Sequence, residues 1–408
     1  MVSVCSPQKS GPEEIILYFI FSVFLIGIFY SIAVLQIGAV LFFIFSIYII
    51  YEDFRNHRTG FMEILLILYL LSAVISAVFS VDPAVSFPAL MRPVILFSLL
   101  PITYLLERYS RITPRFMAGI FAFGGGTVAL EGIYHHFTGF ERTWGFFGGY
   151  FTLAALLALS IPVTAVFIFS SSRKIGILSA LSLLAQLAAL WWTYTRSAFL
   201  AVILGFGAGL VYEFFLERRN LLINYKYRIV TLLLVPFLIV TFMFMSSDPR
   251  INPRAQVREN AAGQMDISSG RSGIIADGIH LLEKDWQGNE WGRLLFGHGL
   301  HSRKILFEGP YRSWESDYLE VLINQGAVGL VLMLGLYLGL FMKIYRVVGA
   351  EKISRENWLF TGYLISGVAF WIMSFLTLQF QGINGSAYFA LLYGLMFLFP
   401  AAPAVENK

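Results

Sequence analysis

Long apolar runs alternate with short polar connections along most of this 408-residue chain. Each run approaches the roughly 20 residues that an α-helix needs to cross a bilayer. The predicted spans are residues 14–31, 33–51, 61–80, 89–106, 116–134, 150–170, 175–194, 198–216, 229–246, 319–342, 358–378 and 385–402. The pattern therefore predicts an all-α integral membrane protein with about 12 transmembrane helices.

One long polar segment, residues 247–317, interrupts the apolar pattern. It divides the chain into residues 1–246 with the first nine predicted spans, the polar segment itself, and residues 318–408 with the last three spans and the C-terminus. A membrane protein with one large charged loop is expected to do its chemistry there, with the spans as its platform.

Inside the polar segment, apolar residues recur at helical spacing. They occupy positions i, i+4, i+7 and i+11, as Ile275, Ile279, Leu282 and Trp286. This spacing predicts an amphipathic helix over about residues 272–285, with Arg271 at its N-terminal edge. A helix of this kind lies on a membrane surface, where we expect it to cap a cavity.

Basic residues orient the predicted spans. Cytoplasmic loops of membrane proteins are enriched in Lys and Arg, and every even-numbered connection carries such residues. They are Arg55, Arg58, Arg108, Arg111, Arg115, Arg173, Lys174, Arg218, Arg219, Lys226, Arg228, Lys343, Arg346, Lys352 and Arg355. We therefore expect both termini in the cytoplasm and the 247–317 segment on the outer face.

Composition supports the membrane class and narrows the function. Hydrophobic residues make up 57% of the chain and charged residues 13%, against about 25% charged residues in soluble domains. The net charge of +4 is not gathered into a nucleic-acid-binding patch, so no nucleic-acid partner is expected. The single cysteine, Cys5, excludes an intramolecular disulfide.

Four arginines near the predicted outer face are candidates for binding an anion: Arg92, Arg142, Arg196 and Arg271. Arg196 is the strongest, because it stands between two spans with almost no loop, where a charge is costly unless it serves a site. Guanidinium groups make bidentate bonds to phosphate oxygens and keep their charge. The alternative is that these side chains only snorkel to the membrane interface.

Glu315 and His298 are the candidates for acid–base chemistry. A carboxylate at the border of the tenth span, such as Glu315, suits a general base; a role at the helix N-terminus is the alternative. His298 and the nearby His301 lie in a glycine-rich turn, and either is an alternative base. Neither has further ligands at metal-binding spacing, so no metal is expected.

Four segments, taken in order, resemble the O-antigen ligase and O-antigen polymerase superfamily of bacterial membrane glycosyltransferases. They are Thr193-Tyr194-Thr195-Arg196-Ser197 opening the eighth span, Gly270-Arg271 with the helix to Trp286, Leu295-Phe296-Gly297-His298-Gly299, and the segment from Glu315 to Gly329. Each motif is short, but their order and their predicted side of the membrane make the resemblance specific.

The resemblance implies a GT-C-like membrane fold and a metal-independent, inverting glycosyltransferase without a cofactor. Such an enzyme moves a glycan from an undecaprenyl-diphosphate-linked oligosaccharide to an acceptor hydroxyl at the periplasmic face of the inner membrane, among membrane lipids. By resemblance, Arg196 and Arg271 bind the diphosphate and Glu315 takes the position of the base. Ligases typically have His at that position.

The glutamate favours an O-antigen or polysaccharide polymerase, whose acceptor is another lipid-linked repeat unit and which has a chain-length regulator as a possible partner. The nearest alternative is a ligase acting on a lipid A–core acceptor. Two other classes stay open, a flippase for lipid-linked sugars and a non-catalytic scaffold or sensor. The sequence shows few of the buried mid-span polar residues and broken helices that a transporter needs.

Overall fold

The computed structural model describes residues 12–56, 60–108, 112–140, 142–146, 149–218, 234–243, 258–259, 265–266, 271–307, 313–349, 358–377 and 382–399. The first ten helices are α1 Pro12–Tyr30, α2 Ile32–Arg55, α3 Phe61–Val78, α4 Pro83–Ser86, α5 Met91–Leu96, α6 Leu99–Arg108, α7 Pro114–Phe137, α8 Tyr150–Ser170, α9 Arg173–Trp192 and α10 Arg196–Arg218. The later helices are α11 Leu234–Met243, α12 Arg271–Gln287, α13 Trp291–Phe296, α14 Ser302–Leu306, α15 Asp317–Gly349, α16 Trp358–Leu376 and α17 Ile383–Leu395.

The helices confirm an all-α integral membrane protein. Within the described residues, ten segments are long and apolar enough to cross a bilayer. The ninth and twelfth predicted spans coincide with the shorter apolar helices Leu234–Met243 and Ile383–Leu398, so a count of 12 is not confirmed. The fourth span is not one regular helix, because Pro83–Arg108 consists of α4, a short 3₁₀ turn, α5 and α6.

Helix α8 lies at the centre of the helix packing. It contacts α7, α9, α10 and α16, and 83% of its apolar window is buried, against 33% for α2 and for α9. The peripheral helices therefore present apolar side chains to lipid. The first two residues of α8, Tyr150 and Phe151, lie beside the candidate arginines Arg142 and Arg271.

Gly124-Gly125-Gly126 allows close packing and does not break α7. The helix continues through this triplet from Pro114 to Phe137, and Cβ atoms on Gly125 and Gly126 would meet Ser160 and Ser182. Small residues let membrane helices approach in this way. Beside the triplet, buried Gln186 hydrogen-bonds Ser160, the Ala122 carbonyl and Ser182, so these polar groups join α7, α8 and α9.

Helix α15 is broken at Gly326, whose φ of 71° is left-handed. The break frees carbonyl oxygens, which must find donors inside a membrane. The turn after α13 supplies them, because the His298 N–H donates to Ile323 O at 2.9 Å and the Gly299 N–H to Asn324 O at 3.1 Å. The start of α15 is thereby fixed against the polar segment.

The predicted outer connections meet at one end of the helices. The Tyr30 ring contacts Phe146 of the α7–α8 connection, and the Thr143 N–H of that connection donates to Trp192 O at the end of α9. The Val81 N–H, after α3, donates to His298 O at 3.5 Å. We call this end of the helices the arginine end.

In the polar segment, two short strands, Arg258–Glu259 and Met265–Asp266, pair antiparallel. The apolar pattern does not predict these strands.

Candidate functional site

Arg196 is the first residue of α10 and follows a tight turn. In that turn Tyr194 has a left-handed φ of 52°, and Thr193 is buried and donates its hydroxyl to Leu190 O at 2.7 Å. The threonine thus satisfies a carbonyl at the end of α9 while the chain reverses. This local geometry places the half-buried Arg196 side chain at the arginine end, as the sequence predicted.

Arg142 reaches the same turn from the α7–α8 connection. Its Nη2 donates to Tyr194 O at 3.2 Å, and its guanidinium stacks over the Tyr150 ring at 3.7 Å. Tyr150 is the first residue of α8. A cation above an aromatic face is attracted by the ring quadrupole, so the start of α8 helps to hold this guanidinium beside the turn before Arg196.

Arg271 begins α12, as predicted, and comes to the arginine end from the polar segment. Its Nη1 donates to Leu376 O at the end of α16, at 2.9 Å. Its guanidinium lies 5.9 Å from the Phe151 ring and close enough to Arg196 for the two charges to interact. Two like charges held together at a membrane edge are unfavourable unless an anion joins them.

Glu315 is the nearest anion among the described residues around Arg271. Its Oε2 lies 3.7 Å from Arg271 Nε, and its Oε1 accepts a hydrogen bond from the Ser313 hydroxyl at 3.0 Å. The distance to Arg271 is longer than the 2.7–2.9 Å typical of a charge-assisted hydrogen bond. Both side chains are partly exposed, at 28% for Arg271 and 22% for Glu315, so a third group can reach them.

The residue before Glu315 fixes its position. Trp314 is fully buried, and its ring contacts Phe307 with a centroid distance of 5.4 Å. Its backbone N–H donates to Glu320 Oε2 at 2.8 Å. Glu315 itself has a left-handed φ of 57°, a backbone strain of the kind found at functional sites.

Arg92 lies on the other side of the α15 start. Its Nη1 is 3.8 Å from Glu320 Oε1, and its charge also interacts with Asp317. Both carboxylates are buried. The described ion-pair partner of Arg92 is therefore Glu320, which also accepts the hydrogen bond from the Trp314 backbone. This arrangement favours a role for Arg92 in holding the start of α15 rather than in the group around Arg271.

His298 is not brought to Arg271. Its Nε2 pairs with Asp285 Oδ2 at 2.6 Å, and both side chains are almost completely buried. Asp285 follows Arg271 on α12 by fourteen residues, about 21 Å along the axis at 1.5 Å per residue. The catalytic role proposed for His298 stays a prediction, and the geometry instead makes His298 a clamp on the C-terminal part of α12.

His301 is the other histidine of this turn, with a left-handed φ of 62°. Burial, Arg92 and Lys304 together lower the pKa of His301 to about 4. The imidazole is therefore neutral at physiological pH. Because the unfolded chain binds this proton more tightly, the stabilising contribution of neutral His301 is lost as pH falls from 6.5 towards 4.

Helix α12 exposes three of the four residues of its predicted apolar face, whereas the fourth, Leu282, packs against the buried cluster of Ile274, Trp314 and Ile323. Ile275, Ile279 and Trp286 are 43%, 48% and 63% exposed, whereas Ile274 on the other face is buried. Trp286 stacks edge-on with the exposed Trp291 of α13, with a centroid distance of 5.1 Å. The helix thus has an apolar surface free on the side away from α15, as a helix lying at a membrane interface requires.

Several partners in the site carry no local sequence signal. The Leu376 carbonyl and the Phe151 ring both approach Arg271 from elements remote in sequence, and Glu320 was hidden within a predicted span. Glu320 does lie within the motif from Glu315 to Gly329, five residues after Glu315. Its membership of that motif is the sequence feature that could have identified it. Among the described residues, no three His, Cys, Asp or Glu side chains cluster as metal ligands.

Comparison with known proteins identifies one family. Residues 180–334 match the family model described as O-antigen ligase. The match covers less than half of the chain, but it includes Arg196, Arg271, His298 and Glu315 and leaves out Arg92 and Arg142. It confirms the resemblance to the O-antigen ligase and polymerase superfamily and supports a membrane glycan transferase. No curated protein matches the chain.

Proposed function

We propose that this chain, whose residues 180–334 match the O-antigen ligase family, transfers a glycan from an undecaprenyl-diphosphate donor to an acceptor sugar hydroxyl. The reaction takes place at the periplasmic face of the bacterial inner membrane, with both termini in the cytoplasm. The product is an elongated lipid-linked glycan, as made by an O-antigen or polysaccharide polymerase. The arginine end is the active face of this proposal.

One observation carries the proposal. Two arginines from separate elements, Arg196 and Arg271, are held within electrostatic range of each other, with the Glu315 carboxylate 3.7 Å from Arg271. Arg142 is stacked beside the same turn. A diphosphate carries enough negative charge to relieve the repulsion between such guanidiniums, and each can bind it in a bidentate manner.

The proposed reaction is a single displacement. The acceptor hydroxyl gives its proton to the Glu315 carboxylate as its oxygen attacks the anomeric carbon, and the bond from that carbon to the diphosphate oxygen breaks. The electron pair leaves with the diphosphate, whose growing charge Arg196, Arg271 and Arg142 stabilise. Attack opposite to the leaving group inverts the anomeric centre. The arginines supply positive charge without a metal ion.

The test is a transfer assay with the purified protein and a lipid-diphosphate-linked oligosaccharide. Arg196→Ala removes one charge from the leaving group and should lower turnover by about 10²–10³-fold, the range for loss of one transition-state donor. Arg293→Ala, at an exposed arginine of the same polar segment, is the matched control and should retain full activity. Normal turnover by a well-folded Arg196→Ala protein would overturn the proposal.

A ligase is the second candidate, favoured by the description of the matching family. The two activities differ only in the acceptor, so the same assay separates them. A polymerase lengthens the glycan when a second lipid-linked repeat unit is added, whereas a ligase forms product only with a lipid A–core acceptor. Product with lipid A–core alone would replace the polymerase proposal by the ligase.

A further inference from the structure

An apolar groove runs between α1 and α7 and ends next to the arginine end. It has a volume of about 510 Å³, and five of its eleven lining residues are aromatic: Tyr18, Phe21, Phe29, Tyr30 and Phe116. From Tyr18 to Tyr30 the groove follows α1 for about 18 Å at the helical rise. It therefore has the form of an elongated channel open to the lipid rather than a closed pocket.

A glycine gives the groove its depth. Gly124 of α7 lines it, and a Cβ atom there would meet the Phe29 ring at 2.8 Å. The bare backbone lets the Phe29 ring lie against α7, where a larger residue would push the ring away. Because the aromatic wall of the groove depends on this approach, its shape is set by specific packing.

The upper end of the groove is tied to the connection that carries Arg142. The Tyr30 hydroxyl hydrogen-bonds Thr127 at 2.7 Å, and its ring contacts the Phe146 ring with a centroid distance of 5.3 Å. Phe146 follows Arg142 by four residues, at most about 14 Å of extended chain. The same short connection therefore touches both the groove and the arginine group.

This connection has a fixed course. The Thr143 N–H donates to Trp192 O at 3.1 Å, and its hydroxyl donates to Gly132 O. Two residues later, a Cβ atom on Gly145 would meet Val128 at 2.8 Å, so this stretch packs directly on α7. The relation between the groove and Arg142 is thus built into the packing.

We infer that the α1–α7 groove binds the polyprenyl chain of the diphosphate donor. This inference rests on the proposed function for the head group, since a molecule whose diphosphate sits among Arg142, Arg196 and Arg271 must lay its hydrocarbon along a nearby lipid-facing surface. Isoprene units are flat at each double bond and branched by a methyl group. They fill the space between aromatic rings, which a straight saturated acyl chain does not match in shape.

A second groove provides the comparison. It has a volume of about 370 Å³, is also apolar, and is lined by residues such as Phe43, Ile47, Tyr51 and Phe54. Tyr51 and Phe54 belong to the last turns of α2, away from the arginine end at which that helix begins. This groove has a similar lining without a link to the arginine connection, so it should accept bulk lipid without preference.

The experiment uses a photoreactive polyprenyl diphosphate that carries no sugar, added to the full-length protein in lipid nanodiscs. Cross-linked peptides should map to α1 and α7, and unlabelled polyprenyl phosphate should compete whereas excess phosphatidylethanolamine should not. Ser22→Trp fills the groove from an exposed position. If the Trp side chain displaces a part of the polyprenyl chain equal to about two buried CH₂ groups, the affinity, and with it the labelling, should fall roughly tenfold. Ile47→Trp fills the comparison groove and should leave labelling unchanged.

The outcomes separate this inference from the proposed function. Because the probe has no sugar, labelling of α1 and α7 does not require transfer, and it would support the tail site even if no transferase activity were found. Labelling that maps elsewhere, that persists in Ser22→Trp, or that phosphatidylethanolamine displaces equally well would overturn the inference while leaving the arginine site untouched.

Discussion

Glu315 shows how a single side chain is presented at a membrane edge. It is held from one side by the buried Trp314 ring and from the other by the start of α15, and its backbone is left-handed. The carboxylate approaches Arg271 without a close hydrogen bond. It is therefore near the proposed leaving group yet keeps acceptor capacity for another donor, as a base for a sugar hydroxyl requires.

We expect Glu315→Gln to lower the turnover number by about 10²–10⁴-fold, the usual range for a lost general base. The amide keeps the size and the contact with Ser313 but does not take up a proton. Glu290→Gln, at an exposed glutamate of the same polar segment, is the control. Binding of a sugar-free polyprenyl diphosphate should change little in either variant.

Glu315→His makes the same prediction sharper. The resemblance to O-antigen ligases leads us to expect that His can serve at this position, so an imidazole there should retain more activity than the amide. Activity measured across pH should then follow the new group. Equal activity of the wild type and Glu315→Gln would remove the base from this position and leave the two histidines of the glycine turn as candidates.

At the scale of elements, two glycines lock the polar segment to α15. A Cβ atom on Gly297 would clash with the Asn324 backbone, and one on Gly326 would clash with the Leu295 backbone. Both glycines are left-handed, with φ of 81° and 71°. Each is thus required twice, by its own conformation and by the close approach of the other chain.

Gly326→Ala should destabilise the protein by about 2–5 kcal/mol, combining a left-handed penalty of about 1–2 kcal/mol with about 1–3 kcal/mol for overpacking. The apparent melting temperature in detergent measures this loss. Gly292→Ala is the control, because nothing lies within 4 Å of its added Cβ. Equal melting temperatures for wild type and Gly326→Ala would show that α15 does not need this break.

Elements with local signals were predictable and their contacts were not. The starts of α10 at Arg196 and α12 at Arg271 follow from adjacent turns and periodicity, and they lie within a residue or two of the predicted positions. The break in α15 was not predicted. A glycine inside an apolar run does not show which distant segment, here the turn after α13, packs against it and binds the freed carbonyl oxygens. The contact of Arg271 with Leu376 joins segments that only the packed structure brings together.

The same limit explains why the site was only partly predicted. The four arginines could be identified as candidates from residue type alone, since a charged residue next to an apolar run is easily recognised in a sequence. It did not separate Arg142, which joins the turn before Arg196, from Arg92, which pairs with buried Glu320. Likewise, nothing local distinguished Glu315 from His298, because the separation of the two depends on the length and direction of α12.

At the scale of the whole molecule, the connections that were predicted to face outward do meet at one end of the helices, through Tyr30, Thr143, Val81 and Arg271. Their meeting fits the alternation of spans. Which membrane face this end occupies is an inference from the basic residues of the opposite connections. The proposed chemistry depends on it, because a donor carried to the outer leaflet meets only an outward-facing site.

Cysteine labelling tests this orientation, and the chain is suited to it because it has a single cysteine. In a Cys5→Ser background, Arg293→Cys on α13 and Arg55→Cys at the end of α2 place one exposed thiol on each side of the proposed membrane. A membrane-impermeant maleimide added to spheroplasts should label only Arg293→Cys. Arg55→Cys should react only after the membrane is permeabilised, which also shows that its thiol is accessible. The reverse pattern would put the arginine end in the cytoplasm, where the positive-inside rule and a periplasmic transfer reaction would both fail.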